Sequence, residues 1–500
     1  MGEISATAGT STVAMRTKLA FGIGASGEAA TNWIFNALTF FFYNQVLGLA
    51  PYLAGMAVFI AIIFDAITDP VMGSISDRFH SRWGRRHPFM FAAPAPIVIS
   101  MYMIFSPPEA LEGYGLFAWY TFFTVMMRGS LTLFTVPHLA LGAELSDDYH
   151  ERSKVMSHNN IFTYFGWMVL HIFVWFVIFP NFELGQHNQD AYFPIVIYCM
   201  ALVTICILVS AWFTRDRIPY LKQPPDDGEK ISVIRLLKDM KEAMSNPNYL
   251  HLLIGLFFLS MMIGTHETLS IYMATFYWEL TPIQIGWLVL NNVFGYTVGF
   301  AVTAKLHRRF DKRATIVGSA VMLSIFWSSA VTLRLFGLAP ENTTWELVAF
   351  IVGLGTFSSI GGSIINISVM SALADIADEH ELKSGRRQEG IFYSARTFFA
   401  KASNGVGHVV AGFALELIEF PTNAVPGEVD ADKIFSLGIV DGPFAMVWGL
   451  VAAGLYGRYK INKSYHDDIM RQLQARKEAG GYQPNEATAD DPPAGTAEPA

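Results

Sequence analysis

Charge is what this chain of 500 residues has least of: Asp, Glu, Lys and Arg make up 15% of it, against roughly 25% in soluble domains. Hydrophobic residues make up 52% and aromatic ones 14%, which excludes a water-soluble globule and points to a membrane protein. The only cysteines, Cys199 and Cys206, lie in one apolar run and read as small hydrophobes, neither a disulfide framework nor a metal site. The net charge is -8 and no basic stripe able to neutralise phosphates occurs outside the loops, so nucleic acid is excluded as a partner. The opening MGEISATAGTSTVAM holds no apolar run of the kind a cleavable signal needs. The closing QPNEATADDPPAGTAEPA has too little hydrophobicity to bury anything, which predicts a disordered tail. No nucleophile–base constellation stands out, and HETLS at His266 lacks the second histidine of a zinc-protease helix. The reading is therefore a non-enzyme with no cofactor.

What is present is length in the right units. A bilayer core about 30 Å thick takes about 20 apolar residues per helix. Apolar segments of that order run 19–47, 52–76, 88–106, 115–144, 157–181, 191–214, 249–278, 283–304, 314–336, 346–374, 391–415 and 440–458. The expected fold class is an all-α membrane protein with 12 transmembrane helices. Lys and Arg gather on alternate loops: of 34, only Arg334 and Lys433 fall on the opposite loops and only Arg128, Arg396 and Lys401 inside spans. The positive-inside rule makes the basic loops and both termini cytoplasmic, in a multi-pass protein of the plasma (inner) membrane.

The chain also repeats itself. SDRFHSRWGRR from Ser76 is echoed by AKLHRRFDKRA from Ala304, and GAELSDDYHERSK by LADIADEHELKSGRR, at offsets of 228 and 231 residues. Two six-helix halves in the same orientation follow, with a site near the midplane between them. The organisation expected is a cytoplasmic tail over 1–17, a first half over 18–214, a cytoplasmic connector over 215–248, a second half over 249–460 and a disordered cytoplasmic tail over 461–500. The connector's IRLLKDMKEAM is amphipathic and suits the membrane surface.

An ionisable group at the centre of a membrane helix costs about 2.5–3.5 kcal/mol on insertion scales, so each needs a reason. Asp65 and Asp69, in FDAITDPVMGSISDR, are one turn apart on one face. Two like charges so placed share a proton or hold a cation. Asp69 could instead cap the kink before Pro70, which accounts for one carboxylate and not for the other. Thr132, in TLFTVP, could add a neutral oxygen. Lys401 is too deep in its span to snorkel; it needs a carboxylate, and Asp65 and Asp69 are the candidates. It either locks helices together or competes with a cation for that pair. Glu28, Asn32 and Asn36 form one polar stripe on the first span that should face a cavity. Asn291, Asn292, Asn366, His266, Glu267, Arg128 and Arg396 are further polar groups in apolar runs, each an interhelical hydrogen bond or a site residue. The basic loops are topology anchors or a gate: Asp77 with Arg85 in the first half, and Asp375, Asp378 and Arg387 in the second, could hold the halves closed on the cytoplasmic side.

FDAITDPVMGSISDRFHSRWGRRHPF, VPHLALGAELSDDYHERSKV and LADIADEHELKSGRRQEGIFYSARTFFAKASNGVG together resemble the signatures of the glycoside-pentoside-hexuronide:cation symporters of the major facilitator superfamily. The resemblance implies that Asp65 and Asp69 bind a coupling Na+, Li+ or H+, that Thr132 is the cation-site hydroxyl and Lys401 the essential membrane lysine, and that Arg152, Asp375 and Arg387 hold gate positions. The sugar half departs from the pattern of melibiose permease. Ala29, Thr135, Leu139, Asn160 and Arg396 stand at its sugar-binding positions, with Glu28 one residue off, so a galactoside is not expected. The sodium-dependent lysophosphatidylcholine symporters are similar too, through VPHLAL. The expected partners are a monovalent cation, the lipid bilayer and a small polar organic solute in a cavity of Glu28, Asn32, Arg128, Thr135, Asn366 and Arg396. The expected activity is import of a glycoside, pentoside or hexuronide by alternating access, coupled to Na+ or H+; the alternative is a lysophospholipid.

Overall fold

The computed structural model describes residues 12–146, 148–221, 244–385 and 389–478, and these contain helices and no strand. Helix α1 (Met15–Ile34) runs on through π-helical turns at Phe35–Thr39 and Phe42–Val46. It is followed by α2 (Pro51–Arg78), α3 (His87–Phe105), α4 (Gly113–Glu144), α5 (His150–Asn181) and α6 (Gln189–Tyr220). The later set is α7 (Pro247–Tyr277), α8 (Pro282–Arg309), α9 (Lys312–Leu335), α10 (Trp345–Ser384), α11 (Glu389–Leu417) and α12 (Ala431–Tyr456). Among the described residues, nine of these helices are long and apolar enough to cross a membrane. The three that fall short are α1, α4 and α11, which carry Glu28 and Asn32, Arg128 and Thr132, and Lys401. Polar groups kept inside for chemistry lower the hydropathy of the helices that carry them.

Local signals explain where helices begin. Pro51, Pro247 and Pro282 stand in the first turns of α2, α7 and α8, where a missing N–H costs nothing and φ is already set. The Asn246 side chain accepts from the backbone N–H of Asn248 and Tyr249, and Thr281 with Gln284 closes a capping box. Gly385, at φ 72°, ends α10 in the left-handed region.

In the first six helices α1 packs on α5 and α6, α2 on α4, and α3 on α4 and α6. The last six repeat these pairings six places on: α7 on α11 and α12, α8 on α10, and α9 on α10 and α12. Glycines allow the closest approaches. A Cβ at Gly166 of α5 would strike the backbone of Ser26 of α1, and one at Gly407 of α11 would strike that of Met261 of α7, so the backbones meet without side chains between them.

Between the two sets, α2 packs along α11, whereas α5 meets α8 chiefly through its Phe173–Ile178 turn against Pro282–Trp287. Tyr272 donates to Asn44 Oδ1 at 2.5 Å, Gln45 Nε2 to the Pro421 carbonyl at 3.0 Å, Gln186 Nε2 to Thr275 Oγ1 at 2.8 Å, and the Ala424 N–H to Gln45 Oε1 at 3.0 Å. These bonds, with His171 Nε2 at 3.0 Å from the Gly286 carbonyl, tie the two sets together at the end away from the basic loops, and Lys401 ties them at mid-depth.

One expectation is corrected. The chain from 461 was expected to be disordered, yet Lys463–Glu478 form a thirteenth helix, α13. It buries Ile469 and Leu473 and is fastened to the end of α10: the Tyr465 hydroxyl donates to Glu379 Oε1 at 3.1 Å, His466 Nε2 lies 3.1 Å from Asp378 Oδ2, and Arg476 donates to the Leu382 carbonyl at 2.7 Å. Its apolar positions are too sparse to mark a membrane span; α10 supplies the partner surface. The amphipathic connector segment before Met244 lies outside the described residues, as do residues 479–500.

Candidate cation-coupling site

Asp65 and Asp69 lie one turn apart on α2, facing α4 and α11. Thr132 Oγ lies 3.1 Å from Asp65 Oδ1 and 3.0 Å from Asp69 Oδ1. Lys401 donates to Asp65 Oδ2 at 2.8 Å and also to Asp69 Oδ2. The hydroxyl thus sits on one side of the carboxylate pair and the ammonium on the other. Asp65 is 3% exposed, and a buried carboxylate survives only when paired and hydrogen-bonded. Prolines sharpen the site: Pro70 in α2 and Pro137 in α4 offer no N–H to the carbonyls of Ala66 and Leu133, each adjacent in sequence to a residue of the site.

Arg128, one turn before Thr132 on α4, donates through Nη2 to Asp65 Oδ2 at 2.5 Å and through Nη1 to Asn32 Oδ1 of α1 at 2.5 Å. Its guanidinium also lies over the Phe35 ring, 5.1 Å from the centroid. Half-buried Glu28 stands one turn before Asn32 on α1. Four helices, α1, α2, α4 and α11, therefore converge on one group of charges.

Other candidates lie elsewhere. Thr135 donates to the Leu131 carbonyl of its own helix at 2.6 Å. Arg396 lies five residues before Lys401, about 140° round the helix at 3.6 residues per turn, 3.4 Å from Asn366 Oδ1 and beside Tyr249 and Tyr456. Of the gate candidates, Arg85 donates to Glu144 Oε1 at 2.7 Å and to the Asp77 carbonyl at 3.3 Å, and Arg86 pairs with both Asp77 and Glu144. Asp375 accepts from Lys312 at 2.7 Å and from the Tyr459 hydroxyl at 3.3 Å. Burial, and then the Asp375 carboxylate, push that phenol well above its ordinary range. Each of these pairs joins helices of one set only. Arg152 is exposed, and Arg387 lies outside the described residues.

Two groupings went unread in the sequence. Glu144 gathers Arg85 and Arg86 at the end of α4 as Asp375 gathers Lys312 and His466 at the end of α10; their matched places in the repeat were the available signal. Glu267, Asn404, His408 and Thr268 form a second polar chain between α7 and α11: Asn404 Nδ2 donates to Glu267 Oε2 at 3.0 Å, and His408 lies 3.2 Å from Asn404 Oδ1 and 2.5 Å from Thr268 Oγ. Four isolated polar residues give no pattern until the helices are packed.

The family model described as "MFS/sugar transport protein" matches residues 20–463. A putative glycoside/cation symporter of Escherichia coli (strain K12) is 22% identical over 95% of this chain and 98% of its own. A sodium-dependent lysophosphatidylcholine symporter of Gallus gallus is 22% identical over 92% of this chain and 89% of its own. Among solved structures, a bacterial homologue of the human lysosomal transporter Spinster, in an inward-facing and unoccupied conformation, superposes with a TM-score of 0.62 at 13% identity, covering 91% of this chain and 97% of that one. A likeness of that kind is one of fold.

Proposed function

We propose, for a chain that belongs to the MFS/sugar transport protein family, that the solute is a sugar derivative, a glycoside, pentoside or hexuronide, imported with Na+ or H+. The chain is a cation-coupled symporter of the major facilitator fold; it is a transporter, not an enzyme, and uses no cofactor. The observation that carries the reading is the bond of Lys401 to both Asp65 and Asp69. It spans α2 and α11, the pair of helices that joins the two sets along its length. A cation held by the two carboxylates and Thr132 displaces the ammonium from them. Charge balance at this junction is thereby tied to occupancy, and the freed Lys401 turns to the solute cavity beside Glu28. The two six-helix halves then rock about the junction, with the basic loops and both termini cytoplasmic in the plasma membrane. Asp77, Arg85, Arg152 and Asp375, at the ends of helices next to the basic loops, would form the cytoplasmic gate.

Solute-induced current in proteoliposomes, with and without Na+, against hexuronides, pentosides and glycosides tests this. Asp69→Asn must lose cation-dependent uptake; wild-type uptake by that variant sinks the reading. A second reading, lysophospholipid uptake, draws support from a lateral apolar groove of about 430 Å³ between α2 and α4, lined by Phe64, Val71, Phe122 and Met126 and reaching Thr132. Competition by lysophosphatidylcholine and not by sugars selects it.

A further inference from the structure

We infer that Glu267 of α7 and His408 of α11, joined through Asn404, form a proton-binding site separate from the Asp65 and Asp69 pair: the two side chains share one exchangeable proton, which makes H+ a second ion of the transport cycle. The inference goes beyond the reading above and uses neither its solute nor its cation. Glu267 lies inside α7 and, among the described residues, no Lys or Arg bonds its carboxylate; Asn404 Nδ2 donates to Oε2 at 3.0 Å. An acid inside a membrane helix costs about 2.5–3.5 kcal/mol on insertion scales, whereas an interhelical hydrogen bond returns about 0.6 kcal/mol. Adhesion does not repay that cost, and α7 and α11 already meet closely through Gly264 and Gly407.

The hydrogens around His408 call for a further one. The ring is 2% exposed; Nε2 lies 3.2 Å from Asn404 Oδ1 and Nδ1 2.5 Å from Thr268 Oγ, whose hydroxyl also reaches the Gly264 carbonyl at 3.1 Å. A neutral imidazole has one N–H. With it on Nδ1, the Nε2 lone pair faces the Asn404 oxygen with no hydrogen between them. With it on Nε2, the Thr268 hydrogen turns to Nδ1 and leaves the Gly264 carbonyl. Hydrogens on both nitrogens complete the chain: Nε2 donates to Asn404, Nδ1 to Thr268 and Thr268 to Gly264. The positive charge then stands 4.0 Å from Glu267 Oε2. Glu267, its side chain 38% exposed, takes the proton from water. Transfer from its carboxyl to Nε2 leaves a carboxylate and an imidazolium, so the pair holds one proton whichever group carries it.

The neighbouring charges are already paired. His266, beside Glu267 on α7, bonds Asp441 of α12 at 2.7 Å, and Lys401, two turns before His408 on α11, bonds Asp65 and Asp69 of α2. Facing α11, α2 sets Gly55 against the His408 carbonyl and Phe59 and Ile62 against Gly405; Tyr52 is the titratable residue of that stretch. Residues 347–374 of α10 include no titratable group, nor does the Phe35–Thr39 turn of α1 that touches α7. Tyr296 of α8 is near enough to Glu267 to feel its charge. Since the His408 carbonyl lies on Gly55, the proton site abuts the contact of α2 with α11 that joins the two sets.

Infrared difference spectroscopy of the full chain in lipid nanodiscs, titrated between about pH 5 and 8 at saturating Na+, tests the inference. Wild-type carboxyl and imidazole bands should change together, with one midpoint. Glu267→Gln should remove the carboxyl band, and His408→Gln should shift its midpoint by about tenfold in proton affinity or more. A role in the cycle is read from maleimide labelling of a cysteine at Ala274. Its rate should change several-fold over the same pH range in the wild type and stay flat in Glu267→Gln. In His408→Gln the midpoint of labelling should move with the carboxyl band, which carries the test if Glu267→Gln does not fold. Bands that titrate independently, or not at all, overturn the site. A pH dependence of labelling that survives Glu267→Gln overturns its place in the cycle. Asp69→Asn should keep the Glu267 and His408 bands, so failure of the Na+ site leaves this one standing; loss of those bands in Asp69→Asn overturns the separation of the two sites.

Discussion

The Lys401 ammonium lies 2.8 Å from Asp65 Oδ2, between residues 336 positions apart in the chain. The bond closes the contact between α2 and α11 at the level where both helices carry charge. Removing Lys401 leaves Asp65 its bond to Arg128 but takes the cation from Asp69; breaking a well-buried pair costs roughly 3–5 kcal/mol, and with the Lys401 and Asp69 side chains 30% and 27% exposed the cost falls below that range. Lys401→Met should lower the melting temperature in Na+-free buffer and recover most of the loss on addition of Na+, which takes the vacated place. Thermal denaturation with and without Na+ measures both. A melting temperature indifferent to Na+ would mean that cation and lysine do not compete.

Thr132 contributes one neutral oxygen to the proposed cation site. Thr132→Ala should weaken Na+ about tenfold, about 1.4 kcal/mol, while Thr132→Ser, which keeps the hydroxyl, stays within a factor of a few. The Na+ concentration for half-maximal uptake is the readout.

These residues show how far the sequence could be read. Helix positions and the meeting of Asp65, Asp69, Thr132 and Lys401 were legible because a charge in an apolar run has few partners that can satisfy it, and a spacing of four puts two residues on one face. Arg128 was legible as out of place but read as a cavity residue. A guanidinium reaches several helices, and only packing shows that α1 and α2 are the two it meets. Helix α13 was missed because its burial depends on the end of α10 and not on its own hydropathy.

At the closed end, Gln45 bonds the Pro421 carbonyl and the Ala424 N–H together. Gln45→Ala should loosen this face and shift the protein toward opening there. A membrane-impermeant maleimide applied from that side should label a cysteine at Ala274, 3% exposed, several-fold faster in the Gln45→Ala background. Equal rates would remove Gln45 from the gate.

Gly407 meets the backbones of Met261 and Thr265 directly. Gly407→Leu should fail to yield folded protein, since α7 and α11 cannot separate without pulling Glu267 from Asn404. Gly318, in α9, has nothing within 4 Å of a Cβ position, and Gly318→Ala should raise the stability by up to about 1 kcal/mol of helix propensity, seen as a melting temperature no lower than that of the wild type. Yield and thermal denaturation of the two variants separate packing from propensity.

The π-helical turns at Phe35–Thr39, Phe42–Val46, Phe173–Ile178, Met273–Tyr277 and Val440–Phe444 each hold one residue more than a regular helix would. A relative without such a turn aligns with this chain only across a one-residue gap inside a membrane helix. If the gap is left out, every residue beyond it is assigned to a helix face about 100° away. Asn44 and Gln45 lie within the second of these turns, so comparisons of the outer gate among distant symporters inherit that error unless register is taken from backbone geometry.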